Sequence, residues 1–306
     1  MKNARRTFIK NSALTLAGSA LFPRIFIAAE APKSIVGLQL YSVRDDMKKA
    51  PLQTLKDLAK MGFKYVEHAS YENRKFYGYE AKEFKRVLSD LGMHMISGHT
   101  VMRQQHWDAA TNAFTKEWNE TVEDAAVVGQ RYVISPWMDE RFRKSSDELK
   151  GFMQVFNKCG ELCKTHDMQF GYHNHSFEFS TMLDGKPMYD LILNYTDPQL
   201  VIQQLDMGNM YGGGGRALEI IKRFPGRFAS LHVKDEIKSA KGEMSEPYES
   251  TIIGKGVVST KEVLTLAKKI GGTKHYIIEQ ESYQGQAPMD AMRENLRIIK
   301  SWGYRS

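Results

Sequence analysis

Four short apolar runs in the second half of the chain carry imidazole or carboxylate groups at their ends. Phe170-Gly-Tyr-His-Asn-His brings His173 and His175, Val201-Ile-Gln-Gln-Leu-Asp closes on Asp206, Phe228-Ala-Ser-Leu-His-Val-Lys-Asp contains His232, and His275-Tyr-Ile-Ile-Glu closes on Glu279. Imidazole nitrogens and carboxylate oxygens together suit a divalent transition metal. If the runs are neighbouring parallel strands, their ends gather at one mouth. A divalent ion held there polarises a carbonyl and lowers the cost of an enediolate, while a nearby carboxylate or imidazole takes the proton from the adjacent carbon.

Each residue has a plainer role to weigh. Asp206 could cap a helix, but Met-Gly-Asn follows it rather than a helical pattern, so a ligand role is favoured. A lone histidine in an apolar run is more often a satisfied core residue; the companions of His232 reverse that preference. Glu279 is costly to bury unless paired or metal-bound, and Glu281 shares its side-chain direction. His175 points the same way as His173, towards substrate or a supporting hydrogen bond. Glu67 and His99, at the ends of the second and third runs, could line the pocket. Lys234 is placed on the face away from His232 and ranks lower. Lys255, between Gly254 and Gly256, could reach the mouth or be solvated.

The elements that must position these groups alternate along the chain. Strand-like runs cover Val36–Arg44, Phe63–Glu67, Met93–Ser97 and Arg131–Ser135, ahead of the four above. Helical spacing separates them: a stretch through Leu52, Leu55 and Leu58 ended by Gly62, then Ala81–Leu91, about Trp107–Val128, and a helix capped by Ser145 or Ser146. Pro187–Tyr195, Ala217–Phe224, Thr260–Ile270 and Met289–Trp302 complete the set. Eight strands and eight helices in strict alternation, with strands apolar on both faces, predict an α/β chain folded as a (β/α)8 TIM barrel. That fold places its site at the carboxyl ends of the strands. A doubly wound open sheet is the runner-up, but no glycine-rich phosphate turn follows the first strand. Gly212–Gly215 reads as a flexible rim loop, and Lys238–Tyr248 as a long loop over the mouth.

The formal charge is +7, yet residues 1–29 carry Lys2, Arg5, Arg6, Lys10 and Arg24 with no acid, which leaves +2 for the remainder. A near-neutral body argues against nucleic acid as a partner. Arg5-Arg-Thr-Phe-Ile-Lys10 resembles a twin-arginine signal, followed by an apolar stretch from Ala13 to Phe22 and small residues at Ala28, Ala29 and Ala31. The expected organisation is an export signal over residues 1–29 and a single catalytic barrel over 33–306. The expected location is the periplasm, or the membrane if the signal is retained, with the twin-arginine machinery as a partner. Cys159 and Cys163 fall on one helix face without a second pair, so a core role is favoured over zinc.

Several segments together resemble the sugar phosphate isomerase/epimerase family, built on the xylose isomerase-like barrel. They are Gly37-Leu-Gln-Leu-Tyr-Ser, Tyr172-His-Asn-His-Ser-Phe-Glu-Phe, Leu205-Asp-Met-Gly-Asn, Leu231-His-Val-Lys-Asp, Gly254-Lys-Gly and Ile278-Glu-Gln. The resemblance covers about Lys33 to Trp302. It implies one divalent ion, Mn²⁺ first with Zn²⁺, Co²⁺ or Mg²⁺ as alternatives, held between strands five to eight. Asp206, His232 and Glu279 match three ligands; the fourth, commonly Glu, falls on His173, with Glu178 just beyond as the other choice. Glu279 or His175 is the expected base, with Glu178 a further catalytic candidate. Gln39, Tyr41, Glu67 and His99 are expected to contact substrate, as are Trp137, Asn209 and Lys255; Tyr41, Trp137 and Tyr283 offer rings to sugar faces.

The implied activity is a metal-dependent isomerisation or epimerisation of a ketose or related small carbohydrate. Lyase or hydratase action on a 3-keto-glycoside, or sugar dehydration, is the alternative on the same site. An endonuclease IV-like nuclease and a non-catalytic sugar-binding barrel are weaker rivals.

Overall fold

A computed structural model describes residues 34–240, 242–243 and 247–305; the segment read as an export signal lies outside them. Eight parallel strands close into a barrel. They are β1 (Ile35–Gln39), β2 (Tyr65–His68), β3 (His94–His99), β4 (Tyr132–Ser135), β5 (Gln169–His173), β6 (Val201–Asp206), β7 (Ser230–Val233) and β8 (His275–Ile278). Each pairs with its neighbours in chain order, and β1 with β8 closes the ring. The predicted (β/α)8 barrel is therefore the fold.

Side chains alternate along a strand, so every second residue enters the barrel. Along β6 this puts Ile202, Gln204 and Asp206 in three successive layers. The lower part of the barrel is apolar: Tyr132, Ile134 and Ile202 pack together with Ala229 against them. The middle is polar and the top carries the predicted ligands. Glycine makes room inside: a Cβ on Gly37 would lie 2.9 Å from Ile277 Cδ1, and one on Gly171 3.0 Å from Ile202 Cδ1.

Eight helices cover the outside: α1 (Pro51–Met61), α2 (Ala81–Asp90), α3 (Lys116–Val128), α4 (Ser146–Lys164), α5 (Met188–Tyr195), α6 (Ala217–Arg223), α7 (Thr260–Leu266) and α8 (Pro288–Ser301). The main core lies between them and the strands. On α4, Phe152, Phe156, Cys159 and Cys163 face inward, and the Phe156 ring meets Phe170 of β5 edge-on at 5.0 Å. Each such phenylalanine contributes about 1.5–3 kcal/mol through burial. Both cysteines are free and buried, as expected of core residues. Ser145 caps α4, its hydroxyl accepting the Glu148 N–H. Gly62 and Gly129 end α1 and α3 at φ of 98° and 106°, where a Cβ would be strained.

Two expectations are corrected and a third is refined. Helix α3 starts at Lys116, not near Trp107, because Trp107–Asp108 pairs antiparallel with Ala113–Phe114. The loop expected over Lys238–Tyr248 is anchored at its ends by a hairpin in which Asp235–Lys238 pairs with Tyr248–Thr251, and residues 241 and 244–246 of it lie outside the described ones. Gly213 and Gly215 are packed positions, since a Cβ would meet Ser176 O at 2.3 Å and Met210 Cγ at 2.7 Å respectively. Among the described residues no helix is long and apolar enough to cross a membrane.

Candidate metal centre at the mouth of the barrel

The ends of β5, β6, β7 and β8 converge as the barrel requires. One ligand atom from each of His173, Asp206, His232 and Glu279 lies within 4.8 Å of the others, close enough to share one cation, and all four residues are buried. His99, His173 and His232 form a second, overlapping group. The four-residue set is the better match to a divalent ion. It supplies two carboxylates to balance the charge and comes from four adjacent strands.

Hydrogen bonds from the layer below orient these four side chains. Gln204 donates through Nε2 to Glu67 Oε2 at 2.8 Å, which leaves its Oε1 as the acceptor for His173 Nδ1 at 3.1 Å and His99 Nε2 at 2.8 Å. His173 thereby keeps Nε2 as its lone-pair nitrogen. Glu67 Oε1 lies 2.6 Å from His232 Nε2, so His232 turns Nδ1 towards Glu279 Oε2 at 3.1 Å and Asp206 Oδ2 at 3.7 Å. Glu67 is itself fixed by Gln39 Nε2 at 2.8 Å and Ser97 Oγ at 2.5 Å.

The electrostatics call for a positive charge at this point. Burial opposes ionisation of Glu67, yet the His99 and His232 imidazoles hold its carboxyl well below the usual range. Burial likewise opposes charge on His232, but Glu279 and Glu67 lift it well above an ordinary histidine. His173 is driven well below that value by burial and by its His232 and His99 neighbours. Burial pushes Glu279 up despite His232; Asp206, facing Lys234 and His232, stays low against its own burial. Asp206 Oδ1 accepts the Asn209 N–H at 2.8 Å, while its buried Oδ2 has no hydrogen-bond partner. An orphaned carboxylate oxygen beside an imidazole and a second carboxylate is a donor set that fits a divalent cation. Asp206 also caps the short helix Met207–Gly212, which the Met-Gly-Asn pattern had concealed.

A cavity of 350 Å³ opens over His173 and Glu279 of this group. Tyr41, His99, His173, His175, Asn209, Glu279 and Glu281 are among the residues lining it. His175 is pushed down to about 4 by burial, and its Nδ1 has no partner. Trp137 meets the His175 ring edge-on at 5.2 Å. Gln39 and Glu67, expected to touch substrate, lie one layer below as supports. Glu178 is engaged elsewhere: it accepts from the Tyr172 hydroxyl at 2.5 Å and the His175 N–H at 2.9 Å, with burial raising it to about 7. Of the two strand-five candidates, only His173 belongs to the group of four. Lys255 pairs with Glu294 at 2.7 Å, because Asp235 gathers the Gly254, Gly256 and Val258 N–H groups and the Thr260 hydroxyl and so fixes that loop. The Tyr283 hydroxyl lies 2.5 Å from Ser42 O and 2.9 Å from Gln280 O, bracing backbone rather than offering a free ring edge.

Lys234 is the main correction. Residues two apart on a strand share a face, so it follows His232 into the barrel mouth instead of pointing away. It is fully buried, with Nζ 2.5 Å from Glu281 Oε1, 3.0 Å from Asn209 Oδ1 and 4.0 Å from Glu279 Oε2. Burial pulls its ammonium down, but Glu281, Asp206 and Glu279 raise it well above the usual value. Gln204 and Ser97 were also missed. Each sits two residues before a site residue, a signal that strand periodicity makes available.

Comparison with known proteins agrees with this architecture. Inosose dehydratase of Clostridium perfringens is 29% identical over 106 residues, 35% of either protein, so the match spans about a third of that relative's length. The crystal structure of a sugar phosphate isomerase/epimerase from Parabacteroides distasonis superimposes with a TM-score of 0.74 at 24% identity, covering 91% of this chain and 97% of that one. The zinc-bound IOLI protein superimposes at 0.67 with 12% identity, covering 89% and 99%. Residues 55–302 match the family described as Xylose isomerase-like TIM barrel, and the chain belongs to that family.

Proposed function

We propose that this chain is a divalent-metal-dependent isomerase or epimerase that removes a proton from the carbon beside a carbonyl of a ketose or related carbohydrate. The observation that carries the reading is the convergence of His173, Asp206, His232 and Glu279, with Asp206 Oδ2 left without a hydrogen-bond partner. A bound divalent ion would supply Lewis acidity, polarising the carbonyl. The chain's own residues do the rest. Glu279 and His175 line one cavity, His175 neutral at pH 7, and the substrate proton passes to one of them. The buried Lys234 ammonium, 2.5 Å from Glu281, holds that carboxylate ionised at the cavity wall. The buried polar floor of Glu67 and Gln204 keeps the ligands in register. Returning the proton to the other face gives epimerisation; returning it to the neighbouring carbon gives isomerisation.

Elimination of a β-leaving group begins with the same proton removal. The curated relatives named inosose dehydratase support this second reading, which extends to lyase action on a keto-glycoside. Export by the twin-arginine route remains part of the proposal, on Arg5-Arg6; an Arg5→Lys, Arg6→Lys chain retained in the cytoplasm, with the parent outside it, supports that part, and equal distribution of the two refutes it.

The central test is solvent exchange. The full chain is incubated in heavy water with a panel of ketoses and keto-glycosides, with and without Mn²⁺. Deuterium uptake beside the carbonyl that requires the metal is expected. No uptake from any member of the panel overturns the reading.

A further inference from the structure

The cavity over the ligands does not end at the ligands. It adjoins a second, larger cleft of 770 Å³, and Ala69, His99 and Val101 line both. The second cleft lies between the segments that follow β2 and β3, on the same face of the barrel as the metal centre. At 350 Å³ the inner cavity is near the lower end of what ligand sites span, about 300–1,000 Å³. The outer cleft has room for a further body of at least equal size.

The chemistry of the outer cleft selects that body. Its guanidinium groups are already engaged: Arg74 bonds Asp124 twice at 2.9 Å and Glu120 at 2.9 Å, and Arg103 bonds Asp139 at 3.2 Å. Burial lowers His106 from the ordinary histidine value and so disfavours its cation. Glu72 and Glu117 add negative charge at the wall. An anion would meet acids there and no free guanidinium. By contrast, among the described residues the Ser70 and Thr100 hydroxyls and the Gln105 amide, all lining the cleft, make no side-chain hydrogen bond within the protein. Uncommitted hydroxyl and amide groups are suited to hydroxyl groups of a ligand.

We infer that this outer cleft is a second carbohydrate subsite, which holds a neutral glycosyl ring attached to the ring that sits over the metal ligands. The substrate is then a glycoside of two rings rather than a monosaccharide or a sugar phosphate. The inference rests on the carbohydrate reading of the inner site and adds the shape of the substrate.

Calorimetric binding to the Mn²⁺-loaded full chain separates the two. The probes are methyl β-glucoside and methyl β-galactoside as single rings, cellobiose and lactose as paired rings, and glucose 6-phosphate as the anion. At least one paired-ring probe is expected to bind about tenfold tighter than its single-ring counterpart, and glucose 6-phosphate no tighter than methyl β-glucoside. Gln105→Trp, which fills the outer cleft from an exposed position, should bring the paired-ring probe down to single-ring affinity. Equal affinity of single and paired rings, absence of binding by all probes, tighter binding of the phosphate, or a paired-ring advantage that survives Gln105→Trp would each overturn the inference. Loss of deuterium exchange with the paired-ring advantage intact would fault the proposed reaction and not the subsite.

Discussion

Nε2 of His232 lies 2.6 Å from Oε1 of Glu67, a carboxylate at the end of β2 across the barrel from β7. That contact decides which nitrogen of His232 faces Asp206 and Glu279. A ligating imidazole whose far nitrogen is held by a carboxylate is fixed in tautomer and orientation. Glu67→Gln keeps the shape and removes the charge. Metal affinity should fall about 10–100-fold, read by competition with a chelating dye. Unchanged affinity would mean that Glu67 serves only packing.

The same contact sets a pH dependence. Burial disfavours the His232 cation, but Glu279 and Glu67 raise its pKa well above the ordinary value. A metal ligand must be deprotonated, so loading has to expel that proton. Affinity should therefore weaken as pH falls, by up to about tenfold per unit for one proton. Calorimetry in two buffers of different ionisation heat reads the proton directly, and loading without release would sink the assignment. The sign for the metal-free chain is opposite. A raised histidine pKa contributes stability that is fully present below the unfolded value, about 6.5, and is lost as pH rises through the folded value.

Lys234 offers a stability test. Its ammonium is fully buried and faces Glu281 at 2.5 Å, with Glu279 at 4.0 Å. Lys234→Met leaves those carboxylates without their counter-charge, and breaking a buried pair from one side costs about 3–5 kcal/mol. Urea unfolding of the metal-free protein should show that loss, and adding Glu281→Gln should recover a large part of it. A Lys234→Met chain as stable as the parent would show that the ion cluster is not interdependent.

The barrel was legible because its signals are local and repeated. Apolar strands alternating with helical spacing specify a parallel sheet whatever the loops do, and a residue such as Asp206 or Glu279 at the end of an apolar run is hard to explain as core. What escaped was decided by contacts between distant segments. Trp107 and Phe114 resemble helical positions, yet Asn112 takes a positive φ of 52° and the segment turns back as a hairpin. Lys255 was drawn away by the Asp235 carboxylate acting on a segment some twenty residues later. Lys234 was available from strand periodicity alone, and its burial becomes understandable only once Glu281 is seen on the neighbouring strand's extension.

Two substitutions separate holding the ion from using it. His232→Ala removes a neutral-atom ligand that is also the partner of Glu67 and Glu279, so it should lower metal content measured by elemental analysis and, with it, deuterium exchange. Full metal content in that variant would remove His232 from the ligand set. Glu279→Gln retains a side-chain oxygen in nearly the same shape but cannot accept a proton. If Glu279 is the base, exchange should drop by about 10²–10⁴-fold while the far-ultraviolet circular dichroism is unaltered. Metal content then tells the two roles apart: exchange lost with the ion retained assigns Glu279 to proton transfer, whereas exchange and ion lost together assign it to coordination and leave His175, neutral and lining the same cavity, as the base. Unchanged exchange by Glu279→Gln would take the residue out of the mechanism altogether.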